Sequence, residues 1–204
     1  MSMEPFVKVR GTAAPFLAAN VDTDVIMPKQ FLKGIDRNGL ERGVFFDLRF
    51  LPDGSPNPEF ILNRSPFQGA SFLLVGPNFG CGSSREHAVW GLKQLGIRAI
   101  IGTSFAGIFF DNCQRNGLLL IQLTPAQIDL IASVITKQGC TKVTLDLPSQ
   151  RISFENGLYI SFDIDPLRKE YLLLGLDAIG ATLQRAPLIE AFEQEHHRTQ
   201  PWLA

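Results

Sequence analysis

The sequence predicts a mixed α/β domain with a mixed sheet and crossover helices. Strand-like and helix-like runs alternate through its middle, and β-rich parts flank that centre. The first half reads as loop-rich, and the run Pro-Asp-Gly-Ser-Pro-Asn-Pro at 52–58 as a turn-dense surface excursion rather than a linker. Residues 71–75 form a short apolar run of the buried-strand kind, followed by a helix over 86–95 and a strand over 97–102. A short helix near 105–110 and a strand over 118–123 come next. Thr124 supplies an N-cap, Pro125 a first helical position and Gln127 the far side of a capping box, opening a helix that Gly139 ends. Residues 142–147 alternate as a strand with one exposed face does, and Glu155-Asn156-Gly157, between Ile152 and Tyr159, reads as a hairpin turn. Asp165-Pro166 opens a helix towards Gly175, and Pro187 opens a last one through Phe192, before a polar tail.

A chain of 204 residues suits one domain, 1–204, with a hydrophobic core and a short polar C-terminal tail. Lys and Arg number 19 against 20 Asp and Glu, a formal charge of −1, so no global positive field points to nucleic acid or to a membrane surface. No uninterrupted apolar stretch approaches the ~18 residues of a membrane span, and no basic segment leads into a signal-like apolar core, so a cytoplasmic protein is expected. Cys81, Cys113 and Cys140 are odd in number and widely separated, with no Cys-x-x-Cys pair. Neither a disulfide framework nor a metal or iron–sulfur ligand set is expected from this chain.

The most informative stretch is Asn78-Phe79-Gly80-Cys81-Gly82-Ser83-Ser84-Arg85-Glu86-His87, which sits between a strand and a helix. Such a junction presents unpaired N–H groups and the positive end of a helix dipole, which favour a carboxylate or phosphate. Arg85, read as part of the first helical turn, opposes that dipole, so it is placed to meet an anion with its two-pronged guanidinium. Arg85 stands where a dinucleotide fingerprint needs its third glycine, and no glycine here precedes the Lys-Ser/Thr pair of a phosphate-binding loop. A bland alternative has Ser83 and Ser84 as helix caps and Arg85 in a surface ion pair with Glu41, Glu86 or another acid. Cys81 reads as a small turn filler, His87 as pointing away from Arg85 into a structural hydrogen bond, and Glu86 as a partner of the helix dipole. Asp22 and Asp24 flank Thr23 in a loop, where aspartate commonly bonds its own backbone.

Phe79 to Ala88, FGCGSSREHA, resembles the signature of the small subunits of 3-isopropylmalate dehydratase, swivelling-domain members of the aconitase superfamily. A second block, Ala19-Asn20-Val21-Asp22-Thr23-Asp24-Val25-Ile26-Met27-Pro28, followed by Lys29-Gln30-Phe31-Leu32-Lys33, is similar to the same family. So are Pro56-Asn57-Pro58-Glu59-Phe60, Ser104-Phe105-Ala106-Gly107-Ile108-Phe109 and Gly175-Leu176-Asp177-Ala178-Ile179-Gly180. The resemblance runs from about residue 6 to about residue 183 and implies a swivelling β/β/α fold. It also implies a hydro-lyase that isomerises 2-isopropylmalate and 3-isopropylmalate through isopropylmaleate in leucine biosynthesis. In that family a four-iron, four-sulfur cluster that acts as Lewis acid sits on a separate large subunit, and the small subunit folds over it as a lid.

By the same resemblance, Ser83 is the catalytic base. A free serine hydroxyl is far too weak an acid for this role, so its alkoxide needs backbone N–H donors, Arg85 and the helix N-terminus around it. Arg85 would clamp a substrate carboxylate in bidentate fashion, and Ser84 would donate to the same carboxylate. Asp24 falls at the rim of the site. Lys33 falls near where relatives carry a substrate-binding arginine, whose fork a lysine does not reproduce. Phe31 and Leu32 would offer apolar surface to an isopropyl group, whereas Lys33 would suit a third carboxylate. Two other readings stay open: a sister hydro-lyase subunit acting on homoaconitate, citraconate or another substituted malate, and a non-catalytic module that grips an anion.

Overall fold

The computed structural model describes residues 3–32 and 37–203. A seven-stranded sheet organises them. Its strands are β1 (Lys8–Phe16), β2 (Phe72–Val75), β3 (Ala99–Gly102), β4 (Leu119–Gln122), β5 (Lys142–Asp146), β6 (Arg151–Phe154) and β7 (Tyr159–Ser161), in the order β4-β3-β2-β1-β5-β6-β7. The first four run parallel and the last three antiparallel to their neighbours, with β1 at the seam. Ala13 stands beside Phe72 of β2, and Thr12 beside Lys142 of β5.

Helices α3 (Glu86–Gln94), α4 (Gly107–Arg115) and α5 (Pro125–Lys137) follow β2, β3 and β4, the crossover pattern expected of a parallel half-sheet. The alternation of side chains along each strand splits the core in two. Phe72, Leu74, Ala99, Ile101 and Ile121 face Ile128, Ile131, Val134 and Ile135 of α5. Leu73, Val75 and Ile100 face Ala88, Val89 and Leu92 of α3 and Phe109 and Cys113 of α4. Each large side chain so enclosed contributes about 1.5–3 kcal/mol of burial free energy, which is why these four-residue strands are apolar throughout.

The local signals behave as their chemistry requires. Thr124 Oγ1 accepts from Gln127 N and Gln127 Oε1 accepts from Thr124 N, closing the capping box of α5. The Glu155–Gly157 turn joins β6 to β7, with Gly157 N donating to the Phe154 carbonyl. Helix α6 (Pro166–Leu174) starts at the Asp165 cap and stops at Gly175, in the left-handed region.

Several elements depart from expectation, among them residues 23–26, read as loop, which form a short helix. Strand β1 lies within the half expected to be loop-rich. Helix α4 extends to Arg115 rather than stopping near residue 110. Beyond α7 (Ala178–Leu183), α8 (Ala186–Thr199) continues through the polar stretch after Phe192. Neither α7 nor α8 buries a residue, and Leu188 and Phe192 are 73% and 67% exposed.

Candidate functional site

The loops that leave β1, β2 and β3 meet at the C-terminal ends of the parallel strands, the usual place for ligands in such sheets. Backbone pairing stitches them together. Gly80 N donates to the Val21 carbonyl (2.7 Å) and Thr23 N to the Cys81 carbonyl (2.8 Å), while Phe79 pairs with Phe105 on the other side. Asn78 N donates to Ser104 Oγ (2.9 Å), and Asn78 Nδ2 to Asn20 Oδ1 (2.8 Å). The two motif blocks, remote in sequence, are therefore adjacent strands of one miniature ribbon.

The glycines of the turn have separate duties. Gly80 has φ +78°, and a Cβ there would stand 2.2 Å from Cγ of buried Phe109, so both its backbone conformation and its packing demand glycine. Gly82, at φ +89°, passes close over Asp22 and Thr23 and delivers the chain to Ser83.

Ser83 and Ser84 are exposed, and Arg85 rather than a serine occupies the N-cap of α3, making no side-chain capping bond. Arg85 thus precedes the first helical turn instead of belonging to it. The two hydroxyls are not helix caps, so the bland account of this serine pair does not hold. Among the described residues, the N–H groups of Ser83, Ser84, Arg85, Glu86 and His87 donate to no protein acceptor. They leave a run of free donors at the start of α3.

Arg85 pairs with Asp24 through Nη1, and its other N–H groups have no protein acceptor among the described residues. The guanidinium side chain is only 12% exposed and Asp24 44%, so the cation is walled in and the acid stands at the rim. The hydrogen bond from Arg85 holds the Asp24 carboxyl below the usual range, aided by the charges of Arg85 and Lys29 and opposed by partial desolvation. Asp22 caps the short helix α1 (Thr23–Ile26) by accepting from Val25 N (2.8 Å), the local role that loop aspartates favour.

The structure brings Asp24, Ser83, Ser84 and Arg85 together. Phe31 and Leu32 sit on the turn after α1, half-buried against the core beneath, with the Phe31 ring 5.0 Å from that of Phe46. Lys33 lies outside the described residues. The His87 ring lies tilted against that of Trp90 within α3, with centroids 4.8 Å apart, whereas Glu86 accepts from Asn116 Nδ2 (2.7 Å) and so ties α3 to the end of α4. Sequence reasoning missed two members. Lys29 is a second cation acting on Asp24, and the buried Thr23 donates from Oγ1 to the Ser83 carbonyl (2.8 Å).

Among the described residues no group of three or more His, Cys, Asp or Glu side chains is gathered as a metal-ligand set. Cys113 is buried in the α3–α4 side of the core, where desolvation pushes its thiol well up, and Cys140 packs on the opposite side. The cysteines of this chain do not fit an iron–sulfur cluster.

Residues 3–126 match the family model of the aconitase C-terminal domain, and residues 179–204 match that of the C-terminal domain of the 3-isopropylmalate dehydratase small subunit. The 3-isopropylmalate dehydratase small subunit 1 of Mannheimia succiniciproducens is 61% identical over 201 residues, covering 98% of this chain and 99% of the relative. The small subunit 2 of Salmonella choleraesuis is 55% identical over 201 residues, with 98% and 96% covered. A crystal structure of 3-isopropylmalate dehydratase from Methanocaldococcus jannaschii superposes with a TM-score of 0.66 at 28% identity, over 92% of this chain and 99% of the other. The mixed sheet is therefore the aconitase-superfamily small-subunit fold, and this chain belongs to the family of 3-isopropylmalate dehydratase small subunits.

Proposed function

We propose that this chain is the swivelling half of a cytoplasmic hydro-lyase that interconverts 2-isopropylmalate and 3-isopropylmalate through isopropylmaleate in leucine biosynthesis. It acts only with a large subunit that holds the four-iron, four-sulfur cluster. The observation that carries the reading is the meeting of the Asp24 block with the Ser83–Arg85 turn. There an enclosed guanidinium, two exposed serines and a run of free N–H groups follow one another beside Asp24.

Arg85 holds a substrate carboxylate with the N–H groups that Asp24 leaves free, and Ser84 donates to the same group. Ser83 Oγ takes the proton from the carbon next to that carboxylate. The free N–H groups and Arg85 carry the negative charge on the serine oxygen before the transfer and disperse that of the carboxylate during it. Cluster chemistry, the polarisation of the leaving hydroxyl, belongs to the large subunit. Phe31 and Leu32 border the substituent that distinguishes one malate from another.

The test is to mix the chain anaerobically with its cluster-loaded large subunit, add 3-isopropylmalate and follow isopropylmaleate by ultraviolet absorbance against each protein alone. Activity in the mixture alone supports the reading. A formed complex without activity turns the search to homoaconitate or citraconate, and failure to form a complex favours an anion-binding module.

A further inference from the structure

We propose that Thr23 is a positioning residue that locks the Ser83–Ser84 peptide in the orientation the site needs. This rests on the reading of Ser83 as the base. Thr23 is 2% exposed, is held by its own N–H on the Cys81 carbonyl, and donates its hydroxyl to the Ser83 carbonyl at 2.8 Å. In a planar trans peptide the C=O and the following N–H point in opposite directions. Turning the Ser83 carbonyl inward to Thr23 therefore turns the Ser84 N–H outward, to the side on which Ser83 and Ser84 are exposed.

The lock is needed because this segment has little else to fix it. Gly82 before it is at φ +89°, a freely turning position, and the N–H groups from Ser83 to His87 have no protein acceptor among the described residues. A peptide flip between Gly82 and Arg85 would bring a carbonyl oxygen to the place where negative charge must be stabilised. It would replace a donor with a repelling dipole. Thr23 prevents this without touching the reacting atoms, and its neighbour Asp24 holds Arg85, so one short helix orients both arms of the turn.

The substitutions Thr23→Val, which keeps the shape and loses the donor, and Thr23→Ser, which keeps the donor, separate positioning from packing. In the reassembled complex, Thr23→Val is expected to lower kcat about ten- to a hundred-fold with KM changed less than about threefold. Thr23→Ser should stay within about threefold of the parent in both. Crystals of the full-length Thr23→Val chain should show the Ser83 carbonyl turned from its inward direction. Turnover by Thr23→Val within about twofold of the parent, or equal losses in Val and Ser, would overturn the proposal. So would an unmoved peptide in the Val crystal. An inactive parent complex would instead refute the proposed activity, and the crystal comparison would still decide the role of Thr23.

Discussion

Gly80→Ala is the sharpest test of how the Gly80–Arg85 turn is built. Two separate costs arise. An L residue at φ +78° loses about 1–2 kcal/mol relative to glycine, because Cβ crowds the neighbouring carbonyl. The new methyl also falls 2.2, 2.5 and 2.6 Å from Cγ, Cδ1 and Cβ of Phe109. To restore ordinary contact near 3.4 Å the ring must retreat by about 1.2 Å (3.4 minus 2.2). Phe109 is buried and packed edge-on against Phe79 at 5.5 Å, so the retreat moves α4, at about 1–3 kcal/mol for an overpacked core. The sum, about 2–5 kcal/mol, lowers the melting temperature by about 5–15 °C for a domain of this size. Gly107→Ala is the control. It opens α4, with no heavy atom within 4 Å of its would-be Cβ, and should be neutral or stabilising by up to about 1 kcal/mol. Thermal unfolding followed by far-ultraviolet circular dichroism, checked by urea midpoints, gives both numbers. A Gly80→Ala chain melting within about 2 °C of the parent would refute the account of this turn.

Ser83→Ala removes an exposed hydroxyl that is not a helix cap, so stability should change by less than about 0.5 kcal/mol while turnover in the complex falls about a hundred- to ten-thousand-fold. Arg85→Lys should act mainly on KM, about ten-fold or more, since the charge remains and the fork is lost. Equal effects of both variants on both constants would contradict their separate roles. In native protein an aromatic disulfide reagent should label Cys81 and Cys140 but not Cys113, whose burial withholds both access and thiolate, and denaturant should release it. The Asp24 carboxyl is depressed in the folded state. Its contribution is therefore present above the ordinary aspartate pKa of about 3.9 and fades as pH falls through the lower folded value. Asp24→Asn should flatten the acid limb of the urea-midpoint profile below about pH 4, and superimposable limbs would count against the pair.

What the sequence made legible was local. The capping box at Thr124, the turn at Gly157 and the glycine stop at Gly175 each carry their geometry in a few adjacent residues. Strand β1 was not legible, because Gly11 and Pro15 break its pattern and its place is set by partners far along the chain. Gly11 is there because a Cβ would stand 2.5 Å from the Ser71 side chain. The site divides in the same way. The sequence offers Ser83, Ser84 and Arg85 as candidates for an anion-handling run, whereas the hydroxyl of Thr23 reads as one more loop threonine until folding brings it under Ser83, 60 residues on. The pairing of Arg85 with Asp24 rather than Glu41 or Glu86 is likewise a product of the ribbon that joins the two loops.

The position of β1 at the seam has a kinetic corollary. Its parallel partner lies about 60 residues downstream, and its antiparallel neighbour 130 residues away, where Lys142 Nζ also donates to Thr12 Oγ1. Neither half-sheet can complete its edge without that strand, so loop closure over most of the chain precedes the reward of pairing, and slow, cooperative folding follows. In hydrogen exchange the amides of β1, β2 and β5 should then open only with global unfolding, while those of α8 exchange through local fraying.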